Sequence, residues 1–348
     1  MNMTYTMEYE INSQGSILEN LIDRYIQNGI VLLDMDASIS KVVLVGSGSS
    51  YHSALLGKYF FNNIAHIEAS AEYASEYANL NFKGANKNTL YIFISQSGKS
   101  YDTLYALRKI KQNGGKVSSL TNNPDSPMHQ EVEYGFLMEA SEEFAIGATK
   151  TFSASVLMLW IMACSLAQKK CIDISDAISN IYQLRECIEY TMNNTKTLND
   201  VADFISKQNA VSILGYGMYY PLALEAALKI KETSYINTSA YPMGEFVHGH
   251  FAILNQNNVI LNFLGESQKE KELLEKISSK YEVENLFISG HLDNSEKSIK
   301  IPNTKSTIIN IFEMIVVIQL LAFKIAVALG RDVDKPKGLD KVVEEKEN

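Results

Sequence analysis

Three cysteines, Cys164, Cys171 and Cys187, are too few and too unevenly placed for a disulfide framework. All three lie in or near helical patterns and away from any motif, so none is a good nucleophile and a reducing cytoplasm is the expected home. Excess positive charge is also lacking. With 31 Lys and Arg against 40 Asp and Glu, the formal charge of −9 argues against a nucleic-acid partner, whose phosphates require clustered basic residues. The longest apolar stretches look too short or too interrupted to span a bilayer. Residues 315–328, for example, are broken by Gln319 and Lys324, with Glu313 just before them. No signal peptide is expected from Met1-Asn2-Met3-Thr4, and no low-complexity tract appears. What remains is a chain of 348 residues, 46% hydrophobic and 20% charged, long enough for two domains with their own cores.

Strand and helix patterns alternate along it. A helix is expected over 16–28 and a strand over 41–45, ending in Gly46-Ser47-Gly48-Ser49-Ser50. A helix to about 63 and a short strand at 64–68 follow. The apolar strand 90–94 then runs into Ser95-Gln96-Ser97-Gly98-Lys99-Ser100 and a helix at 103–111. Strand 116–121, a loop from Asn122 to Pro127 and a long apolar helix at 154–168 close this half. The second half repeats the plan. Helices at 174–193 and 197–208 precede strand 210–214 with Gly215-Tyr216-Gly217, helix 222–232, and strand 259–264 with Gly265-Glu266-Ser267. Such alternation predicts an α/β protein of parallel sheets covered on both faces. The expected domains are 1–172, 173–330 and a tail, 331–348, that enters the active site.

The serine loop lies where a strand gives way to a helix, whose N-terminus offers unpaired N–H groups and partial positive charge. Hydroxyls add donors without adding charge, which suits the phosphate of a small ligand; an ordinary capped turn is the plainer reading. The second glycine corner lacks the run of serines and carries Glu266, so only the first is expected to hold phosphate. Gly46-x-Gly48 also resembles the start of a dinucleotide fingerprint. Tyr51 replaces its third glycine, while Glu68 about 20 residues on keeps that reading open. Gly98-Lys99-Ser100 lacks the upstream glycine of a phosphate-binding Walker loop, because Phe93 stands there.

Glu225, Lys229 and Glu232 share one face of a helix that is otherwise nearly all apolar. A helix apolar nearly all round is expected to be buried, with its charged stripe lining an interior cleft. Lys231 keeps a surface ion-pair stripe open as the alternative. His248 and His250 sit in a glycine-flanked loop with no third metal-ligand motif. The tail 330–341 holds Pro, Gly and Leu in a way that suggests a defined path, whereas 344–348 reads as a frayed end.

Together these residues resemble the sugar isomerase (SIS) family, in particular the isomerase half of glucosamine-6-phosphate synthases. The resemblance runs from Met7-x-x-Glu10-Ile11-x-x-Gln14 through Gly48-Ser49-Ser50, Ser95-Gln96-Ser97-Gly98-x-Ser100-x-Asp102-Thr103, Glu143 and Thr149-Lys150. It continues through Ala223-Leu224-Glu225-x-Ala227-Leu228-Lys229-x-Lys231-Glu232, Gly244-Glu245-x-x-His248-Gly249 and Asp332-Val333-Asp334-x-Pro336-x-x-Leu339-x-Lys341. It implies two tandem doubly wound, flavodoxin-like SIS units and a homodimer with shared active sites. No cofactor and no metal are expected.

Residue by residue, the resemblance implies that Ser49, Ser50, Ser95, Gln96, Ser97 and Ser100 hold a sugar phosphate. Glu232 would move the proton between C1 and C2, with Lys229 tuning it. His248, given by the neighbouring subunit, would open the sugar ring, and Lys341 would form a Schiff base with the ketose. Glu143 would contact the amino group. Ser49 and Ser100 replace threonines, and Lys99 stands at a usually acidic position. The synthase's amidotransferase domain, with its N-terminal cysteine, has no counterpart in this sequence. The expected reaction is therefore deamination of glucosamine 6-phosphate to fructose 6-phosphate and ammonium. A fructosamine-6-phosphate deglycase and a non-catalytic phosphosugar-binding protein are the alternatives. The Lys341 tail favours the deaminase over the deglycase, and no helix-turn-helix segment precedes the repeat.

Overall fold

The computed structural model describes residues 5–80, 87–194, 197–265, 268–290, 298–302, 304 and 306–341. Glu266, Ser267, the first four residues and the 344–348 end, all read above, lie outside them. The chain forms two compact units, and neither is a single run of sequence. The first comprises Ser16–Glu143, Ala148–Tyr182 and Asp340–Asn348; the second comprises Met1–Gly15, Phe144–Gly147 and Gln183–Leu339, in each case over the described residues. The N-terminal segment and residues 340–341 thus group differently from the linear boundaries at 172 and 330.

Helix α1 (Thr6–Asn12) belongs to the second unit and was not expected from the pattern. Helix α2 (Gln14–Tyr25) ends three residues before the expected 28. There the chain turns into a hairpin, β1 (Ile26–Gln27) against β2 (Ile30–Val31). Asn28 and Gly29 carry it with φ of 52° and 77°. Asn-Gly is the preferred pair for such a left-handed two-residue turn, and it overrides the helical pattern.

The first unit is then a doubly wound α/β layer. Its strands are β3 (Lys41–Gly46), β4 (Glu68–Tyr73), β5 (Thr89–Ile94), β6 (Lys116–Thr121) and β7 (Tyr134–Leu137). They are all parallel, in the order β4-β3-β5-β6-β7. Between and after them come α3 (Ser49–Asn63), α4 (Ala74–Ala78), α5 (Tyr101–Gln112), α6 (Pro127–Gln130), α7 (Lys150–Lys169) and α8 (Ser175–Ile181). Residues 64–67 are not the expected strand. Ile64 caps α3, His66 takes φ 52°, and pairing with Lys41 begins only at Glu68. Val43, Val45, Tyr91 and Phe93 pack with Leu107 and Ile110 on one face, which explains why the central strands read as unbroken apolar runs.

The second unit repeats the topology. Helix α9 (Leu184–Asn194) is separated from α8 at Tyr182 and Gln183, so the single helix expected over 174–193 is two. Next come α10 (Leu198–Ser206), β8 (Ala210–Gly215), α11 (Tyr220–Ser234), β9 (Asn237–Pro242), α12 (Met243–Phe246) and β10 (Asn258–Phe263). Helix α13 (Gln268–Tyr281), β11 (Glu284–Ser289), β12 (Ser298–Lys300) and α14 (Thr307–Ala328) complete it. The parallel sheet runs β12-β11-β10-β8-β9. In both units the strand order reverses beside the first strand, which places a crevice outside the carboxyl ends of β3 and β5, and another outside β8 and β10.

Both α7 and α14 are, by length and composition, apolar enough to cross a bilayer, contrary to the reading of interrupted runs. Most of each helix is instead buried in the folded chain. Within α14, Glu313 is fully buried and accepts a hydrogen bond from Thr191 Oγ1 at 3.2 Å. Burial pushes its carboxyl up to about 8, against a smaller opposing effect of that hydrogen bond.

The unfolded chain releases this proton near pH ~4.3, well below the folded value. The folded state therefore holds the proton more tightly, and the associated stability is complete below about pH 4.3 and lost as pH rises towards 8. Glu313→Gln is expected to remove this slope. Urea unfolding at pH 5, 6, 7 and 8 should show the variant gaining on the wild type by about 1 kcal/mol per pH unit. A difference that stays constant with pH would contradict the assignment.

Candidate active site

The serine loop starts where β5 ends. Ser95 is buried, and its Oγ accepts from the Gly98 N–H at 3.2 Å and lies 3.1 Å from Ser100 Oγ. Ser97 Oγ accepts from the Lys99 N–H at 3.2 Å. The Gln96 carbonyl is tied to the strand next door, accepting from Asn122 N–H at 3.0 Å and Thr121 Oγ1 at 3.2 Å. Gly98 makes this path possible. It has φ 64°, and a Cβ there would meet Ser126 Oγ at 2.2 Å. Any side chain would push the loop off the β6–α6 connection.

Ser100 is the N-cap of α5, which therefore begins at Tyr101 rather than 103. Its hydroxyl makes no capping bond and points instead to Ser95, so the first-turn N–H groups of α5 receive no side-chain cap. Ser49 and Ser50 open α3 on the other side of the same strand reversal, after Gly48 at φ 56°. Two helix N-termini and six candidate side chains thus gather at one crevice of the first unit. This suits a compact anion. Glu68 rules against the dinucleotide reading. It pairs with Lys41 at the amino ends of the strands, opposite the crevice where a ribose would lie.

At the corresponding corner of the second unit, Tyr219 lies close to both glycines. A Cβ on Gly215 would lie 2.4 Å from the Tyr219 carbonyl oxygen, and one on Gly265 would lie 3.0 Å from Tyr219 Cε2. The Tyr219 ring lies against Gly265, at the end of the strand that corresponds to the one before the serine loop. Sequence reading missed this residue, because a tyrosine in a turn carries no signal of where its ring goes.

Helix α11 is held by Pro221 in its first turn and ends at Tyr235 with φ 65°. Its charged stripe is not a surface feature. Glu225 and Lys229 are each only 1% exposed, while Glu232 is partly accessible. Lys229 Nζ donates to Glu232 Oε2 at 2.6 Å and lies 3.7 Å from Glu225 Oε1. A buried ammonium paired this way is held charged by two carboxylates. Glu232 is the member that a solute can reach, which fits a group that takes up and returns a proton. Glu225 was seen in the stripe but not counted among the site residues. Its i, i+4 spacing to Lys229 looks like an ordinary helix pair until burial is known.

Glu143 is fully buried in the first unit. Its Oε1 accepts from the N–H groups of Thr149 (2.9 Å) and Thr151 (3.1 Å), and from Thr149 Oγ1 (3.3 Å). Its Oε2 accepts from Thr151 Oγ1 (2.7 Å) and Lys341 Nζ (2.8 Å). Burial raises its carboxyl pKa, but the Lys341 charge and these hydrogen bonds outweigh burial and hold it below the ordinary range. Both oxygens are engaged, so in this arrangement Glu143 serves Lys341 and not a ligand amine. A nucleophilic role for Lys341 requires this pair to part.

His248 stands apart from these groupings. It is exposed on the turn after α12, its N–H donating to the Glu245 carbonyl at 2.9 Å, while His250 packs on Tyr241 at 4.5 Å.

The SIS domain pattern matches residues 37–165 and 204–295, covering the central part of each unit. The chain is 31% identical over 349 residues to a glutamine–fructose-6-phosphate aminotransferase (isomerizing) of Campylobacter jejuni, covering 97% of this chain and 58% of that protein. It is 32% identical to the Helicobacter pylori protein of the same name, with 98% and 59% covered. The chain therefore spans about three-fifths of the length of these curated relatives. Among solved structures, it is similar to the C-terminal domain of glucosamine-fructose-6-phosphate aminotransferase from Francisella tularensis. That match has a TM-score of 0.88, 26% identity, and 96% and 99% of the two chains covered. A glucosamine-6-phosphate deaminase from Thermotoga maritima shares the fold, with a TM-score of 0.80, 22% identity, and 98% and 100% covered. With the repeated parallel sheets, these matches establish that the chain belongs to the SIS domain family.

Proposed function

We propose that this protein is an amino-sugar phosphate isomerase and deaminase, converting glucosamine 6-phosphate and water to fructose 6-phosphate and ammonium. The observation that carries the reading is the buried Lys229 ammonium paired at 2.6 Å with an accessible Glu232 carboxylate. Isomerisation needs one group that removes a proton from C2 and returns it to C1. A carboxylate beside a fixed positive charge can do so while the charge steadies the enediol-like intermediate. The hydroxyls of Ser49, Ser50, Ser95, Ser97 and Ser100, the Gln96 side chain and the N-termini of α3 and α5 would hold the phosphate. The aminotransferase and deaminase relatives act, by their names, on sugars of this class.

Proton transfer leaves an iminium at C2. Lys341, once parted from Glu143, would attack that carbon and expel ammonia, and water would then hydrolyse the lysine imine to the ketose. Nitrogen leaves as ammonium, and the ketone oxygen comes from water. His248 would open the sugar ring, and as an exposed residue it is available to a second copy of the chain.

Incubation with glucosamine 6-phosphate and, separately, fructoselysine 6-phosphate should release ammonium from the first and no lysine from the second. Lysine release alone would replace this reading with the deglycase one. No turnover of either would leave only a binding role. Glu232→Gln is expected to lower kcat by at least about 10³-fold while phosphate-ester binding stays within a few-fold. Loss of binding in that variant would mean that Glu232 acts structurally.

A further inference from the structure

Three segments far apart in sequence close a hydrogen-bonded circuit in the second unit. Glu10 on α1 is buried, and its Oε1 accepts from the Phe144 N–H at 2.6 Å. Two residues on, the Ile146 N–H donates to the Asp334 carbonyl at 3.3 Å. The Asp334 carboxylate then returns to α1, accepting from the N–H groups of Thr6 and Met7 at 2.8 Å each. These belong to the donors that a helix N-terminus leaves without intrahelical partners, and α1 has no side-chain cap of its own. Asp334 is itself fixed. Asp332 Oδ1 accepts from its N–H at 3.0 Å and from that of Lys335 at 3.1 Å, and Val333 is fully buried.

The segment held by this circuit ends at Gly147. A Cβ there would lie 3.8 Å from Glu232 Oε2 and 3.9 Å from Lys229 Nζ, so the Gly147 backbone runs along the ion pair. Its largest side chain, Phe144, is 67% exposed, while Ala145 and Gly147 are buried. Hydrogen bonds from the Phe144 and Ile146 N–H groups anchor the segment from the exposed side. A buried carboxylate is a costly tether, and it is used here on a stretch of four residues that abuts the acid–base pair.

We propose that Glu10 and Asp334 are positioning residues: through this circuit they hold Phe144–Gly147 against the Lys229–Glu232 pair and limit the access of water to it. The catalytic side of this inference rests on the acid–base reading of Glu232 above. Its structural side stands without it. A shift of about 1 Å in groups lining a reacting centre can cost on the order of 10²-fold in rate, whatever its distance from the substituted residue.

The test compares Glu10→Ala with Glu10→Gln, whose amide oxygen can still accept from Phe144. The first readout is kcat and KM for ammonium release. The second, made without substrate, is the rate at which a water-soluble acylating reagent labels Lys229, read by mass spectrometry on the native protein. Glu10→Ala is expected to lower kcat at least about tenfold with KM nearly unchanged, and to speed Lys229 labelling by a similar factor. Glu10→Gln should keep both near wild type. A folded Glu10→Ala with wild-type kcat and labelling overturns the proposal, as does a Gln variant as impaired as the Ala one. If Glu10→Ala does not fold, Gly147→Ala decides. It leaves the circuit intact and sets a methyl against the pair, so kcat should fall and labelling should slow, and no change in either overturns the inference. A wild type that releases no ammonium sinks the catalytic reading alone, because the labelling contrast still judges the circuit.

Discussion

The ammonium of Lys229, enclosed on α11 between the carboxylates of Glu225 and Glu232, is the interaction around which the second unit is arranged. Taking an ammonium out of water costs several kcal/mol, and only well-placed opposite charge offsets that. One helix supplies both carboxylates, through i−4 and i+3 spacing, so the geometry needs no help from distant parts of the chain. What distant parts do supply is enclosure. Helix α14 packs along α11, and Thr233 Oγ1 ties the Lys229 carbonyl at 2.8 Å and that of Ala322 at 3.3 Å. The result is a fixed positive charge beside one carboxylate that remains accessible.

The first unit solves a different problem with the same topology. Its carboxyl-end crevice is lined by hydroxyls and helix N-termini, and its buried lysine partner is Glu143, not a member of a helix stripe. The repeated sheets therefore do not imply repeated sites. Tyr219 shows the physical difference at one position. A ring lies over Gly265 where the first unit has a loop of small polar residues. Small hydroxyl side chains offer donors to an anion, and a tyrosine ring against the glycine does not.

Much of this was legible in the sequence. The apolar runs at 42–45 and 90–94 identified central strands because both their faces are covered, and the nearly all-apolar circumference of α11 pointed to burial of its charges. The serine loop was recognisable from hydroxyls and a glycine at a strand-to-helix junction. What escaped notice was long-range or geometrically conditional. The Asn28-Gly29 turn was absorbed into a helix because the periodicity before it was strong. Helix α1 has seven residues and takes its N-terminal cap from Asp334, 328 positions from Thr6, which no local pattern can show. Thr149 and Thr151 look like helix-start residues, and only the fold reveals that they surround Glu143.

A double-mutant cycle on unfolding free energy tests the central interaction most directly, using Lys229→Met, Glu225→Gln and the double variant. Removing the lysine alone leaves the buried Glu225 carboxylate facing an apolar methionine, and about 3–5 kcal/mol of destabilisation is expected. Neutralising Glu225 as well should recover at least about 1 kcal/mol of that loss, a coupling of the size seen for contacting charges. Penalties that simply add would contradict the account, because they would mean that Lys229 and Glu225 do not hold each other in the interior.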